Sequence, residues 1–131
     1  MKILFLSRWF PYPVNNGSKV RIYNLLRGLG PHHDVTLLSF VDQTGGRPEA
    51  SEIRSLCSEI VVVPWKEFEP GTWQARLGFL SLKPRSVIDT FSPAMAGAIT
   101  TAITGQKFDL VIASQLQMAA YYPYFQGIPA L

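Results

Sequence analysis

The chain has 131 residues, with 12 Lys and Arg against 9 Asp and Glu, and a formal net charge of +3 at pH 7. Hydrophobic residues make up 47% of it and charged residues 16%, which excludes a disordered chain, because enough apolar surface is present to offset the loss of chain entropy. A chain of this length buries one core of ordinary size, so we expect a single domain over residues 1–131. The mild positive charge falls well short of a nucleic-acid-binding protein.

The single cysteine and the lengths of the apolar runs indicate the cellular compartment of the protein. Cys57 is the single cysteine, so no internal disulfide forms and a reducing compartment fits best. Its side chain is either a small core residue or a reactive thiol. No apolar run approaches the roughly 18 residues of a membrane span, and Arg8 interrupts the apolar start too early for a secretory signal. We expect a cytoplasmic protein, and its charge is compatible with peripheral contact at the inner membrane surface.

The beginning of the chain predicts a strand, a long loop and a helix. Residues 2–7 (KILFLS) are apolar on both faces, as in a central parallel strand. From Lys19 onward apolar residues recur at helical spacing, with Ser18 placed to cap the helix and Gly30-Pro31 to end it. The residues of this apolar stripe are Ile22, Leu25, Leu26 and Leu29.

Strands and helices continue to alternate along the rest of the chain. Further strands are predicted at residues 34–41, 59–64 and 108–114, and residues 127–131 have the pattern of a strand that is beginning. Helices are predicted at residues 48–57, 72–80 and 115–122, and from Ser92-Pro93 to Gly105. This order predicts an α/β fold with a doubly wound parallel sheet, a Rossmann-like three-layer α/β/α sandwich, whose ligands bind outside the carboxyl ends of the strands.

The connection after the first strand is the main candidate site. Such connections usually have about 2 to 6 residues, whereas residues 8–17 (RWFPYPVNNG) form a longer segment that is too apolar and stiff for disorder. It is either a functional loop or a packed loop that covers the sheet edge. Asn16, Gly17 and Ser18 stand where the loop meets the helix, and the N–H groups and partial positive charge of a helix start suit an anion.

Charged and aromatic side chains around this junction are further candidates for acceptor or anion binding. Lys19 and Arg21 lie in the first helical turn, where the helix dipole disfavours cations, so we expect a phosphate or diphosphate nearby unless both side chains extend into water. Arg8 and Tyr12 in the loop belong to the same candidate set.

Hydroxyl and amide side chains follow the fourth strand. Ser114, Gln115 and Gln117 carry groups used in sugar recognition, or they cap the short helix after them. The aromatic residues that come next either line an apolar acceptor groove or pack in the core: Tyr121, Tyr122, Tyr124 and Phe125.

Several motifs are absent from the sequence. It contains no G-x-G-x-x-G, no G-x-x-x-x-G-K-[ST], no G-x-S-x-G and no D-x-D. No cluster of His or Cys has metal-ligand spacing, and His32-His33 fall in a helix-to-strand connection, away from the strand carboxyl ends. We therefore expect neither a metal site, nor a cofactor, nor a self-contained catalytic triad.

The segment KILFLSRWFPYPVNNGSKVRIYNLLRGLGPHHDVTLLSF resembles the start of the family 4 retaining glycosyltransferases of the GT-B fold. These enzymes, in particular the bacterial sugar transferases of polysaccharide assembly, open with a strand, a proline-bearing loop ending in glycine, a long helix and H-x-V-x-L-x-x as the second strand. The resemblance covers residues 1–40 and continues by pattern through SEIVVVP, SPAMAGAI and FDLVIAS.

The resemblance implies one half of a two-domain enzyme. In this family the amino-terminal half binds the acceptor and the carboxyl-terminal half, expected to lie beyond these residues, binds the nucleotide sugar. Gly17 matches the glycine that contacts the donor diphosphate, with Asn16 and Ser18 beside it. The whole enzyme would transfer a sugar, with retention and without metal, to a polysaccharide, lipid-linked or small-molecule acceptor. Residues 1–131 are expected to hold no catalytic residue and to be inactive alone.

Two other classes of protein are compatible with parts of the sequence. A stand-alone α/β binding or protein-interaction module would use RWFPYP and the tyrosine cluster as its partner surface. A nicotinamide-dependent oxidoreductase is disfavoured, because the glycine fingerprint is missing.

Overall fold

The computed structural model describes residues 1–42, 51–65 and 91–131. Within these ranges four parallel strands form one sheet in the order β3-β2-β1-β4. The strands are β1 (Lys2–Ser7), β2 (Asp34–Val41), β3 (Glu59–Pro64) and β4 (Leu110–Ala113). The helices are α1 (Gly17–Leu29), α2 (Ser51–Arg54), α3 (Pro93–Gly105) and α4 (Leu116–Ala119), followed by a 3₁₀ turn at Tyr122–Tyr124. The predicted α/β fold with a parallel sheet is confirmed, and the architecture is consistent with a Rossmann-like α/β/α fold.

The two central strands, β1 and β2, bury both of their faces. Successive side chains of a strand point to opposite faces, so β1 contributes Ile3 and Phe5 to one core and Leu4 and Leu6 to the other. The first core packs against the apolar stripe of α1, and the second packs against α3 and α4. This two-sided burial explains why KILFLS is continuously apolar.

Helix α1 begins earlier than the pattern predicted. Asn16 is the N-cap, and its Oδ1 accepts a hydrogen bond of 2.9 Å from the backbone N–H of Lys19. The prediction of Ser18 as the cap is wrong, because asparagine caps as well as serine does and Gly17 and Ser18 already belong to the helix. Leu25, predicted in the apolar stripe, is 38% exposed, while Ile22 and Leu26 are buried.

The later elements agree with the predictions in type and differ in length. Ser92 caps α3 through a 3.3 Å hydrogen bond from Met95 N–H, and Gly105 ends that helix as predicted. The predicted helix at 115–122 is instead one α-helical turn followed by the 3₁₀ turn, in which Pro123 lacks the N–H that a continuing helix needs. Residues 48–50 of the predicted second helix and the predicted helix at 72–80 lie outside the described residues.

The last residues add to the outer side of β4. Ala130 forms a parallel bridge with Val111, and the Leu131 carbonyl accepts a 2.8 Å hydrogen bond from Ala113 N–H. Of the predicted start of a strand at residues 127–131, the structure forms a single bridge at Ala130 with hydrogen bonds at residues 129 and 131. Of the helices in the described ranges, none is long and apolar enough to cross a membrane.

Candidate anion-binding site at the carboxyl edge of the sheet

The carboxyl edge of the sheet is organised around Arg8. Because the four strands are parallel, the residues that follow them meet at one edge: Arg8 after β1, Asp42 after β2, Trp65 after β3 and Gln115 after β4. All four belong to one network of contacts, which we call the Arg8 network. It joins the loop after β1 to the ends of the other three strands.

Arg8 uses its backbone and its guanidinium in this network. Its backbone N–H donates to Gln115 Oε1 at 2.8 Å, and Nη1 lies 3.1 Å from Asp42 Oδ1 in a salt bridge. The guanidinium carbon lies over two indole rings, 3.4 Å from the centroid of Trp65 and 4.2 Å from that of Trp9. Arg8 is only 7% exposed. Its charge is therefore compensated within the protein, and its predicted contact with an acceptor or anion stays a prediction.

Of the partners of Arg8, Gln115 is a sequence-predicted site residue, whereas Asp42, Trp65 and Trp9 are not. Asp42 and Trp65 were passed over because a solitary carboxylate and a lone tryptophan carry no motif. A usable signal was their position, since each is the residue immediately after a parallel strand.

The first part of the loop after β1 is packed onto the protein, whereas residues 14–17 are exposed. Ser7 Oγ donates to the Trp9 carbonyl at 2.7 Å, and Phe10 is buried in the same core as α1. Tyr12 Oη donates to Glu52 Oε1 at 3.1 Å. A backbone hydrogen bond and then this bond from Tyr12 lower the pKa of Glu52. The packed-loop alternative is confirmed for these residues, and this packing directs the loop to the start of α1.

The start of α1 offers donors at this same edge. The first N–H groups of a helix have no intrahelical partner. The N–H of Lys19 is satisfied here by a hydrogen bond to the Asn16 side chain. Gly17 and Ser18 are exposed, and a Cβ added at Gly17 would meet nothing within 4 Å. Asn16 therefore acts as a helix cap, and its predicted diphosphate contact, like those of Gly17 and Ser18, stays a prediction.

The two cations of the first turn behave differently. Arg21 is exposed, as the water-directed alternative predicts. Lys19 is only 6% exposed, and its ammonium makes no ion pair or hydrogen bond within the part of the chain that the structure describes. A cation is thus held at the helix start without a countercharge from residues 1–42, 51–65 or 91–131.

The polar residues after β4 belong partly to the Arg8 network. Gln115 Oε1 accepts from Arg8 N–H and from Ser114 Oγ, the latter at 2.6 Å. Gln115 is the N-cap of α4 without a side-chain capping bond, so the capping alternative is wrong for its side chain. Gln117 is exposed. Their predicted sugar contacts stay predictions.

The aromatic residues near the end of the chain divide into two groups. Tyr121 and Phe125 are core residues, and Tyr121 Oη accepts a 2.9 Å hydrogen bond from Ser92 N–H. Burial raises the pKa of Tyr121. Tyr122 and Tyr124 are 53% and 42% exposed. The packing alternative is confirmed for Tyr121 and Phe125, whereas for Tyr122 and Tyr124 the acceptor groove stays a prediction.

Cys57 and the histidines lie away from the carboxyl edge. Cys57 is a core residue, as one of its alternatives predicted, and burial raises the pKa of its thiol to about 12. His32 and His33 lie beside Met1 and Asp109 at the opposite, amino edge of the sheet. Across residues 1–42, 51–65 and 91–131, no three His, Cys, Asp or Glu side chains are grouped to hold a metal ion.

Together the fold and the site define a Rossmann-like α/β chain with a candidate anion-binding helix start at the carboxyl edge of its sheet. No family model matches the chain, and no curated protein is significantly similar to it.

Proposed function

We propose that the chain is the acceptor-side domain of a retaining GT-B glycosyltransferase, in which the start of α1 binds the diphosphate of a nucleotide sugar. The observation that carries the proposal is Lys19, a buried basic residue without a countercharge among the described residues, next to the exposed Gly17 and Ser18. The resemblance of residues 1–40 to family 4 supports the same assignment.

Physical chemistry favours an anion at this helix start. Burial of the Lys19 side chain limits the contact of its ammonium with water, which costs free energy unless a partner compensates it, and the dipole of α1 adds further positive potential at the same place. Lys19 gains no compensation from the described residues. A diphosphate would accept hydrogen bonds from the free N–H groups of the helix start and neutralise the ammonium. Both unfavourable features are then relieved by one ligand.

This arrangement also fits the chemistry of glycosyl transfer. N–H dipoles and a cation directed at a diphosphate stabilise the negative charge that develops as it leaves the sugar. The sugar nucleotide itself would be held mainly by a second domain, so residues 1–131 would bind but not catalyse. The acceptor, a saccharide or lipid-linked sugar, would contact Ser114, Gln117 and neighbouring side chains at the cytoplasmic face of the inner membrane.

Pyrophosphate is the probe that tests the diphosphate site. In an ¹⁵N NMR titration of the 131-residue chain, we expect saturable shifts of the Gly17, Ser18 and Lys19 amide signals. Gly17→Val places a side chain where the anion approaches, in space free of protein atoms, and is expected to weaken binding about tenfold. Gly28→Val is the matched control, since Gly28 is exposed in the same helix and its Cβ would also meet nothing within 4 Å.

The titration overturns the proposal if the shifts do not saturate or fall on other residues. Equal weakening by Gly17→Val and Gly28→Val would show a helix-stability effect instead. Lys19→Met is also expected to lower the affinity for pyrophosphate, because it removes the cation while keeping an apolar stem of similar length.

A second candidate function, a stand-alone interaction module, is favoured by the exposure of Leu116, Tyr122 and Tyr124, which is 77%, 53% and 42%. Exposed apolar groups of this size mark contact surfaces when they are contiguous. Light scattering of the purified chain separates the two functions. Self-association that is abolished by Tyr122→Ser with Tyr124→Ser would support the module, and a strict monomer would count against it.

A further inference from the structure

We infer that Arg8 is a positioning residue: through the Arg8 network it holds the loop after β1 so that the start of α1 presents Gly17 and Ser18 at the carboxyl edge of the sheet. This inference rests on the proposed function for the identity of the ligand. It assigns Arg8 and Gln115 to the support of the anion site rather than to contact with the anion.

The first step concerns how firmly Arg8 is held. A planar guanidinium can stack on aromatic rings and donate to a carboxylate at the same time. Arg8 does both, with Trp65 and Trp9 under its guanidinium and Asp42 at 3.1 Å. Trp65 is itself held by an edge-to-face contact with Phe40 of β2, at 4.9 Å between ring centroids. The contacts of Arg8 are therefore continuous, through Trp65 and Phe40, with the core on one face of the sheet.

The second step concerns what Arg8 holds in place. Its backbone N–H donates to Gln115 Oε1, which fixes the first loop residue to the end of β4. The loop then continues through the buried Phe10 and through Tyr12, bonded to Glu52, to Asn16, which caps α1. The loop is thus tied at its beginning by the Arg8 network and at its end by the helix cap. A change at Arg8 is transmitted to the helix start through this short path.

The third step concerns why arginine is required. A lysine at position 8 would keep the charge and could still approach Asp42, but its ammonium is a compact point charge without a planar face. It would lose the stacking on the two indole rings while remaining able to form the ion pair. Arg8→Lys therefore removes the feature that distinguishes this anchor from an ordinary salt bridge.

Backbone dynamics and pyrophosphate affinity test the inference together. In Arg8→Lys we expect the ¹⁵N order parameters of the non-proline residues in 9–16 to fall from about 0.85 toward about 0.6, while those of β1 and β2 stay unchanged. We also expect the pyrophosphate dissociation constant to rise about fivefold, because the helix start is held less precisely. Arg27→Lys, the same exchange at an exposed position near the end of α1, is expected to change neither quantity.

Asp42→Asn provides a second variant in case Arg8→Lys does not fold, since it removes the ion pair and keeps the stacked guanidinium. It is expected to loosen residues 9–16 less than Arg8→Lys does. Order parameters that stay unchanged in residues 9–16, or that fall equally throughout the sheet, would overturn the inference. If the native chain does not bind pyrophosphate, the proposed function fails, while the order parameters still decide whether Arg8 positions the helix start.

Discussion

At the scale of single residues, Cys57 shows how burial converts a reactive group into a packing group. Its side chain is 9% exposed, and burial raises the pKa of the thiol to about 12. A thiol attacks as the thiolate, so a thiol that keeps its proton at neutral pH is a poor nucleophile. This agrees with its place in the core cluster beside Ile53.

The pKa of Cys57 predicts a loss of stability in alkaline solution. Above about pH 9 the thiol of the unfolded chain releases its proton, whereas the folded chain keeps it until about pH 12. The unfolded state then binds fewer protons, so the free energy of unfolding falls as the pH rises, by up to about 1.4 kcal/mol per pH unit from this group. Urea unfolding between about pH 8 and pH 12 measures this slope.

Cys57→Ala is the control for the alkaline slope. It lacks the thiol, so its stability is expected to decline less steeply above about pH 9 than that of the native chain. Tyr121, whose pKa is also raised by burial, contributes a decline at higher pH in both proteins. Identical slopes in the two proteins would contradict the assignment of this effect to Cys57.

At the scale of elements, the end of α1 is fitted against the segment that follows α2. Gly30 is the C-cap of α1, and its backbone N–H donates to the Leu26 carbonyl at 2.8 Å. A Cβ at this position would overlap the backbone carbonyl oxygen of Leu56. The glycine is therefore required by close approach of two backbones, and not by an unusual φ, which is −55°.

Gly30→Ala and Gly28→Ala form a matched pair for this contact. Gly30→Ala is expected to lower the free energy of unfolding by about 1–3 kcal/mol, because the Leu56 backbone must move to admit the methyl group. Gly28→Ala is expected to raise it by up to about 1 kcal/mol, since alanine favours helix and its Cβ would lie in open space. Urea denaturation midpoints of the two variants check this. Equal effects would contradict the close packing at Gly30.

At the scale of the whole molecule, residues 129–131 pair with the outer side of β4. Val111 N–H donates to the Pro129 carbonyl at 2.9 Å and Ala113 N–H to the Leu131 carbonyl at 2.8 Å. Leu131 N–H returns a bond of 2.9 Å to the Val111 carbonyl. Without these partners, one side of β4 would present unpaired donors and an unpaired acceptor.

Deletion of residues 129–131 tests the role of these bonds. The amide protons of Val111 and Ala113 are expected to exchange with solvent about tenfold faster, because each loses its acceptor. Leu131→Ser is the control, since it keeps the backbone bonds and changes only a side chain that is 79% exposed. Hydrogen-exchange NMR measures both variants, and unchanged protection after the deletion would show that the pairing is not formed in solution.

Local sequence patterns determined the strands, the principal helices and the parallel direction of the strands. The continuous apolar run at residues 2–7 and the helical spacing from Ile22 to Leu29 are properties of neighbouring residues, and a two-sided strand or an amphipathic helix follows from them directly. The same patterns placed Gly17 at a helix start near the carboxyl edge. They also located the start of a strand at residues 127–131, where two carbonyls accept bonds from β4.

Only the tertiary structure decided which side chains of the candidate site meet. Arg8 and Lys19 are both cations near the loop, yet Arg8 is paired with Asp42 while Lys19 is buried without a described countercharge. The difference depends on strand order, which brings the ends of β2 and β3 to one side of β1 and that of β4 to the other. Spacing along the chain determines the periodicity of each strand or helix and which of its side chains share a face. Contacts between residues more than thirty positions apart depend instead on how the strands are arranged.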